Sequence, residues 1–386
     1  MKSSWDIFCR VVDNFGDAGV CWRLARQLVA EHGRQVRLWI DELSALAPLA
    51  PGLSIGSAVQ RQGGLELRRW SEPWTETAPA DVVIEAFGGG LPPAFVEAMA
   101  GRSRSPVWIN LEYLSAEAWV EACHRLPSPQ ARLPLTKFFY FPGFTPATGG
   151  LLRERDLLKT RDTFLASAEA QVAFWRSLGL AGVPEGRKVS LFCYPESPIP
   201  ALLEVWAGGA EPVFCLVPEG YLAQDAAAFL GGSALAPGAV CQRGALKLAC
   251  FRFLPQDGYD RLLWACDLNF VRGEDSFVRA QWAGRPMVWQ PYRQDAGAHL
   301  AKLQAFLDRQ NAFLPGPAGE ALLRWSRAWS GQGSLREAWA QYVKFEKNFS
   351  LGAQRWAESL AKQPDLATQL VEFAENADIM RGSPNQ

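Results

Sequence analysis

Two carboxylates stand four residues apart in Asp13-Asn14-Phe15-Gly16-Asp17-Ala18-Gly19, a polar segment that directly follows the apolar run 7–12. Such a pair suits proton transfer, with one carboxylate taking a proton while the other aligns the group that loses it. Asp17, nearer the expected start of a helix, is the preferred base, and Asp13 orients an acceptor or supports Asp17. The plainer alternative is that both do turn and cap work. Gly16 and Gly19 let a backbone approach a ligand closely, and a helix N-terminus beyond them presents free N–H groups. The segment is neither a dinucleotide fingerprint nor a P-loop, because G-x-G-x-x-G is absent and no Gly-Lys-Ser/Thr follows.

A second constellation is Arg272-Gly273-Glu274-Asp275-Ser276, placed between the apolar run Asn269-Phe270-Val271 and a helical pattern. Ser276 with neighbouring helix-start amides can hold a phosphate oxygen, and Arg272 can neutralise a diphosphate. Glu274 and Asp275 are ill placed for phosphate but suit sugar hydroxyls; ordinary N-capping by Asp275 or Ser276 is the alternative. Phe192, Tyr194 and Phe253 close two other apolar runs, so their rings can stack on a nucleobase, with core packing as the alternative. Read as alternating strand residues, Phe192 and Tyr194 face the same side. Gln256 can read a base or sugar edge. The sixteen tryptophans invite a carbohydrate-stacking role, but most are expected in the core.

Positioning these residues takes strands that end where the polar segments begin. Runs 6–12, 36–40, 82–87 and 107–109 read as strands of a parallel α/β layer, with helices between them from residue 20 to a stop at Gly33 and over 94–100. Residues 141–150 read as a long loop and 163–178 as a helix. Residues 179–186, with three glycines and a proline, form the best linker. A second series follows at 189–194, 212–217, 250–254, 268–271 and 287–290, and from about residue 317 the pattern is helical only. The expected architecture is two Rossmann-like domains, 1–180 and 186–350, with a long amphipathic helix at about 351–376 that packs back on the first.

The 386 residues support two domains, with 48% hydrophobic residues to fill them. Thirty-nine basic and 40 acidic side chains leave a net charge of −1, which argues against a mainly electrostatic hold on nucleic acid or lipid. No apolar stretch approaches the roughly 20 residues that cross a bilayer, and the N-terminus lacks a signal-peptide pattern, so a cytoplasmic protein is expected. Eight scattered cysteines without C-x-x-C and three distant histidines point to no metal and no thiol chemistry.

The run Gly273-Glu274-Asp275-Ser276, continued by Arg279-Ala280 and by Ala283-Gly284-Arg285-Pro286-Met287-Val288, resembles the donor-binding pattern of two-domain nucleotide-sugar glycosyltransferases of the GT-B class. The stretch Arg10-Val11-Val12-Asp13-Asn14-Phe15-Gly16-Asp17-Ala18-Gly19-Val20-Cys21-Trp22-Arg23-Leu24, with Phe277-Val278 and Trp289-Gln290-Pro291-Tyr292, is similar to the signatures of bacterial protein-arginine rhamnosyltransferases that modify elongation factor P. That resemblance spans essentially the whole chain. It implies a GT-B-like α/β fold, two Rossmann-like domains facing a central cleft with a helical tail. It implies transfer of L-rhamnose from dTDP-β-L-rhamnose to an arginine side chain of elongation factor P, inverting the anomeric centre, with no metal and no cofactor beyond the donor. It assigns catalysis to Asp13, Asp17 and Glu274, and donor binding to Phe15, Gly16, Phe192, Tyr194, Phe253, Gln256, Arg272, Asp275 and Ser276. The partners implied are the acceptor protein and the nucleotide sugar, not nucleic acid or membrane. The alternatives are a related enzyme with another sugar or acceptor, and a non-catalytic protein that binds the factor.

Overall fold

Strands alternating with helices build two separate, mainly parallel sheets in the computed structural model, which describes residues 3–13, 15–71, 74, 77–232, 234–293 and 297–382. The chain divides into two units, one of residues 1–155 with 361–386 and one of residues 156–360. No helix among the described residues is long and apolar enough to cross a membrane.

The first unit holds eight strands: β1 (Ser4–Cys9), β2 (Gln35–Ile40), β3 (Val59–Gln62), β4 (Leu65–Arg69), β5 (Val82–Ala86), β6 (Val107–Leu111), β7 (Pro127–Pro129) and β8 (Thr136–Tyr140). Their order is β3-β4-β2-β1-β5-β6-β8-β7. The six inner strands run parallel; β1, β5 and β6 are buried almost along their whole length, whereas β4 and β8 carry charged side chains, are partly buried and are not expected from the sequence. The edge strands β3 and β7 pair antiparallel with β4 and β8; both are short and polar, and apolar periodicity gives no signal for them. On one face, Phe8, Trp39, Trp70, Phe95, Met99 and Trp108 form a core, with Phe8 stacked parallel on Trp39 at 5.6 Å. Truncating one such aromatic costs about 3–5 kcal/mol.

The second unit holds β9 (Arg187–Leu191), β10 (Val213–Pro218), β11 (Val240–Arg243), β12 (Leu246–Phe251), β13 (Leu268–Arg272) and β14 (Met287–Gln290), in the order β11-β12-β10-β9-β13-β14. Only β11, on the edge, is antiparallel. All tryptophans except Trp74 and Trp119 are buried, so indole rings serve packing in both units.

Three boundaries differ from the sequence reading. The helix expected over 163–178 is two helices, Leu157–Ala166 and Ala168–Ser177, because the Ser167 hydroxyl accepts the Ala170 N–H and caps the second. Both belong to the second unit rather than to a 1–180 domain. Phe164 packs on Trp264, and the Arg161 guanidinium donates to the Trp282 carbonyl at 2.7 Å. The single tail helix expected at 351–376 is likewise two helices, Leu335–Ala361 and Leu366–Gly382. Pro364 has no N–H to continue the first helix, and the Asp365 carboxylate accepts from the N–H and hydroxyl of Thr368 at the start of the second. The second of these helices packs on the first unit. There Phe373 meets Phe138 and Tyr140, and Gln27 donates to Asp365 at 3.0 Å.

Candidate active site

Parallel sheets present ligands at the C-terminal ends of their strands, and both polar constellations stand there. In the first unit the segment after β1 is less of a loop than its composition suggests. A helix already begins at Phe15 and runs to Ala30, so Phe15, Gly16, Asp17 and Gly19 lie in its first turns. Asn14 lies outside the described residues. The Gly16 N–H donates to the Asp13 carbonyl at 2.7 Å. One oxygen of Asp17, Oδ2, accepts the N–H groups of Val12 (2.8 Å) and Asp13 (2.9 Å). Of the turn and cap work weighed from the sequence, half of this carboxylate does the turn part, holding the two amides ahead of the helix.

The other oxygen, Oδ1, is buried and makes no hydrogen bond of normal geometry. The Tyr113 hydroxyl reaches the same carboxylate at looser geometry and favours its charged form. Asp17 is fully buried, and that burial outweighs the two amides and the tyrosine. Its pKa is raised above the usual aspartate value, with the Asp41 charge adding to the rise. Among the described residues Asp17 makes no ion pair, and no cation is among the leading influences on its charge. Asp13 is buried beside it, and Asp41, just after β2, accepts the Val11 N–H at 2.9 Å and fixes the same strand end.

Two residues that the sequence reading gave no role complete this face. Phe87 follows β5 and Tyr113 follows β6, and their rings stack at 4.5 Å with 14° between planes. Phe87 sits at φ +58°, a left-handed conformation that costs a bulky residue about 1–3 kcal/mol. The turn is held by Phe87 N–H to the Leu111 carbonyl (2.6 Å) and Gly89 N–H to the Ala86 carbonyl (3.1 Å). Both aromatic side chains are half-buried. The run Leu111-Glu112-Tyr113 at a strand end is the sequence signal for Tyr113; nothing in the sequence marks the strain at Phe87.

In the second unit, Phe192 and Tyr194 lie beyond β9 rather than in alternate strand positions, so strand alternation does not explain their shared direction. The Arg272 guanidinium does. Its carbon stands 4.7 Å from the Phe192 ring centroid and 4.5 Å from that of Tyr194, a cation–π clamp at the end of β13. Tyr259 meets Phe192 edge-on at 5.8 Å, and the exposed Tyr292 meets Tyr194 in the same way. Gln290 accepts from the Tyr194 N–H (2.8 Å) and the Ser197 hydroxyl (2.7 Å), tying β14 to the loop after β9.

The helix Asp275–Ala283 starts directly after Arg272-Gly273-Glu274. Neither Asp275 nor Ser276 caps it in the ordinary way. Ser276 Oγ accepts the Arg272 N–H at 3.1 Å and donates to the Arg272 carbonyl, locking strand end to helix start. Glu274 occupies the N-cap position without a side-chain cap and faces Lys302 at 3.7 Å. Gln256 is buried and donates to Asp275 Oδ2 at 3.2 Å. The Tyr259 hydroxyl is buried beside Asp275 and Ser276, and burial pushes its pKa upward. Phe253 is half-buried, its N–H donating to Glu219 at 2.9 Å. The structure thus gathers Phe192, Tyr194 and Arg272 in one cluster and Gln256, Asp275 and Ser276 in another, both at the same end of the second sheet. Among the described residues, no group of three or more His, Cys, Asp and Glu side chains is arranged to hold a metal ion.

Residues 5–375 match the model of a family described as Elongation-Factor P (EF-P) rhamnosyltransferase EarP. The chain is 51% identical over 377 residues to a protein-arginine rhamnosyltransferase of Pseudomonas putida strain KT2440, covering 98% of this chain and all of that one. A protein-arginine rhamnosyltransferase of Pseudomonas aeruginosa strain PAO1 is also 51% identical, over 96% of this chain and 98% of its own length. A solved structure described as the structural basis for EarP-mediated arginine glycosylation of translation elongation factor EF-P superposes with a TM-score of 0.70 at 37% identity, covering 97% of this chain and all of that one. The spinosyn rhamnosyltransferase SpnG, solved with thymidine diphosphate, shares the fold alone, with a TM-score of 0.53 at 13% identity over 97% of this chain and all of its own.

Proposed function

The chain belongs to the elongation factor P rhamnosyltransferase family, and from that premise we propose that it transfers L-rhamnose from dTDP-β-L-rhamnose to an arginine side chain of elongation factor P. The observation that carries the reading is Asp17, a fully buried carboxylate at a strand's C-terminal end that makes no ion pair among the described residues and whose pKa burial raises.

Arginine is a reluctant nucleophile, since its guanidinium titrates above about 12 and its lone pairs are delocalised. A carboxylate beside it raises that value further, so the proton leaves only as bonding to the anomeric carbon makes the attacking nitrogen acidic. A base with raised proton affinity suits that moment. In the proposed step the nitrogen attacks the anomeric carbon, the bond from that carbon to the diphosphate oxygen breaks, Asp17 takes the nitrogen's proton, and dTDP leaves. One displacement inverts the β-linked sugar. Asp13 aligns the guanidinium, and Glu274 acts on the sugar. Phe15 and Gly16 join the donor contacts through the first turn of their helix.

On the donor side, Arg272 and the amides opening the helix Asp275–Ala283 take the departing negative charge without a metal. Phe192, Tyr194 and Phe253 offer ring faces for thymine, while Gln256 and Asp275 supply polar edges for base and sugar. A chain that modifies a translation factor works in the cytoplasm.

Incubation of the purified chain with elongation factor P and dTDP-rhamnose, read by intact mass, is expected to add one deoxyhexose to the factor. An unchanged mass, with folded chain and authentic donor, overturns the reading. Thermal stabilisation by dTDP, with little from UDP or GDP, is expected; the reverse order reassigns the donor.

A further inference from the structure

The geometry points to the stacked Phe87–Tyr113 pair as the platform on which the acceptor guanidinium lies while Asp17 acts on it, an inference that rests on the arginine-modifying reading above. Three observations meet there. The two rings stack in parallel at 4.5 Å at the C-terminal ends of β5 and β6, and both are half-buried. Tyr113 acts on the Asp17 carboxylate through its hydroxyl, so the stack adjoins the group with a buried, poorly satisfied oxygen. Phe87 is held at φ +58° beside Gly88 and Gly90, which take positive φ freely.

A backbone that turns through this conformation is served better by glycine than by phenylalanine. The turn alone gives no reason for an aromatic side chain at 87. Stacked face to face, the pair leaves an outer ring face for a planar group, and the Tyr113 hydroxyl holds the stack beside a carboxylate. A planar guanidinium is matched by both parts at once, with its face on the ring and its N–H edge toward the acid. A lysine ammonium, compact and strongly hydrated, gains less from such a surface. The pair would therefore favour arginine over lysine as acceptor and fix which nitrogen meets the sugar.

Phe87→Gly separates the platform from folding, because glycine relieves the strained φ and this variant is expected to melt no lower than the parent. Its KM for elongation factor P is expected to rise about tenfold while its KM for dTDP-rhamnose stays within twofold, the size of one cation–π contact. Tyr113→Phe keeps the ring and removes the hydroxyl. Its acceptor KM is expected to hold, while the acid limb of its kcat/KM profile moves to higher pH. An active parent whose Phe87→Gly variant keeps its acceptor KM within twofold, or loses donor and acceptor affinity alike, overturns this inference and leaves the functional reading standing. A parent that never modifies the factor overturns both.

Discussion

The two ends of strand β1 bury a carboxylate each, and they treat it in opposite ways. Asp6, near the N-terminal end, is fully buried and saturated. It takes a fork from Arg37 at 2.6 and 2.7 Å, the Trp39 indole N–H at 2.9 Å and the Ala80 N–H at 2.9 Å. Asp17, at the other end, is buried as deeply but receives two amides on one oxygen and the influence of the Tyr113 hydroxyl, and makes no ion pair among the described residues. Burial penalises a charge at either end, but of the two only Asp6 has a cation to compensate it among the described residues. The second unit repeats the Asp6 solution, since buried Asp260 holds the Arg279 guanidinium through bonds of 2.9 and 2.7 Å. A fold that pairs buried acids with cations elsewhere leaves Asp17 without an ion pair among the described residues, where parallel sheets place their chemistry.

The sharpest way to break this comparison is Asp17→Asn. The amide oxygen can still accept from Val12 and Asp13, so the helix start survives while the proton acceptor is lost. Turnover is expected to fall about 1000-fold, or about 4 kcal/mol of barrier, with no loss of melting temperature. The sign of the pH effect follows from the raised pKa. Stability from Asp17 is fully present below the ordinary aspartate range and is lost as pH rises through its folded value, so Asp17→Asn flattens that decline. Near-normal turnover in a folded, donor-binding Asp17→Asn protein would remove Asp17 as the base.

Saturated acids are expected to answer in the other currency. Arg279→Leu strands Asp260 without its partner, and the loss is expected to be about 3 kcal/mol by urea denaturation. Asp6→Asn breaks the fork from Arg37, whose side chain is partly exposed, and about 2 kcal/mol is expected on the same scale. Reduced acceptor turnover at full stability in Asp6→Asn would show that the two ends of β1 are not so different.

How much of this was legible beforehand depends on whether the cause is local. Parallel strands buried on both faces announce themselves as apolar runs, as β1, β2, β5 and β6 do in the first sheet, but the inner strands β4 and β8, which carry charged side chains and are only partly buried, do not. The edges β3, β7 and β11 do not, because solvent-facing pairs carry no periodic signal. Breaks at Ser167 and 364–365 turn on single caps inside otherwise helical patterns. At the site, Asp13 and Asp17 were visible as a pair of acids, and Arg272 to Ser276 as a strand-to-helix corner. The Arg272 clamp on Phe192 and Tyr194, the Gln290 tie and the strained Phe87 stack each join segments distant in sequence, and no spacing rule reaches them.

The finest test lies with Asp41, which raises the Asp17 pKa from the end of β2 while its Oδ1 holds the Val11 N–H. Asp41→Asn keeps an oxygen for that amide and removes the negative charge. The Asp17 pKa then falls toward the ordinary aspartate range, because one of the influences raising it is gone. The acid limb of kcat/KM is expected to move to lower pH by less than about one unit, the reach of a single charge near a protein surface. Tyr113→Phe is expected to move the same limb upward, since the hydroxyl favours the charged form. Opposed shifts from these two substitutions would tie the limb to Asp17, while shifts in one direction would assign it to another group.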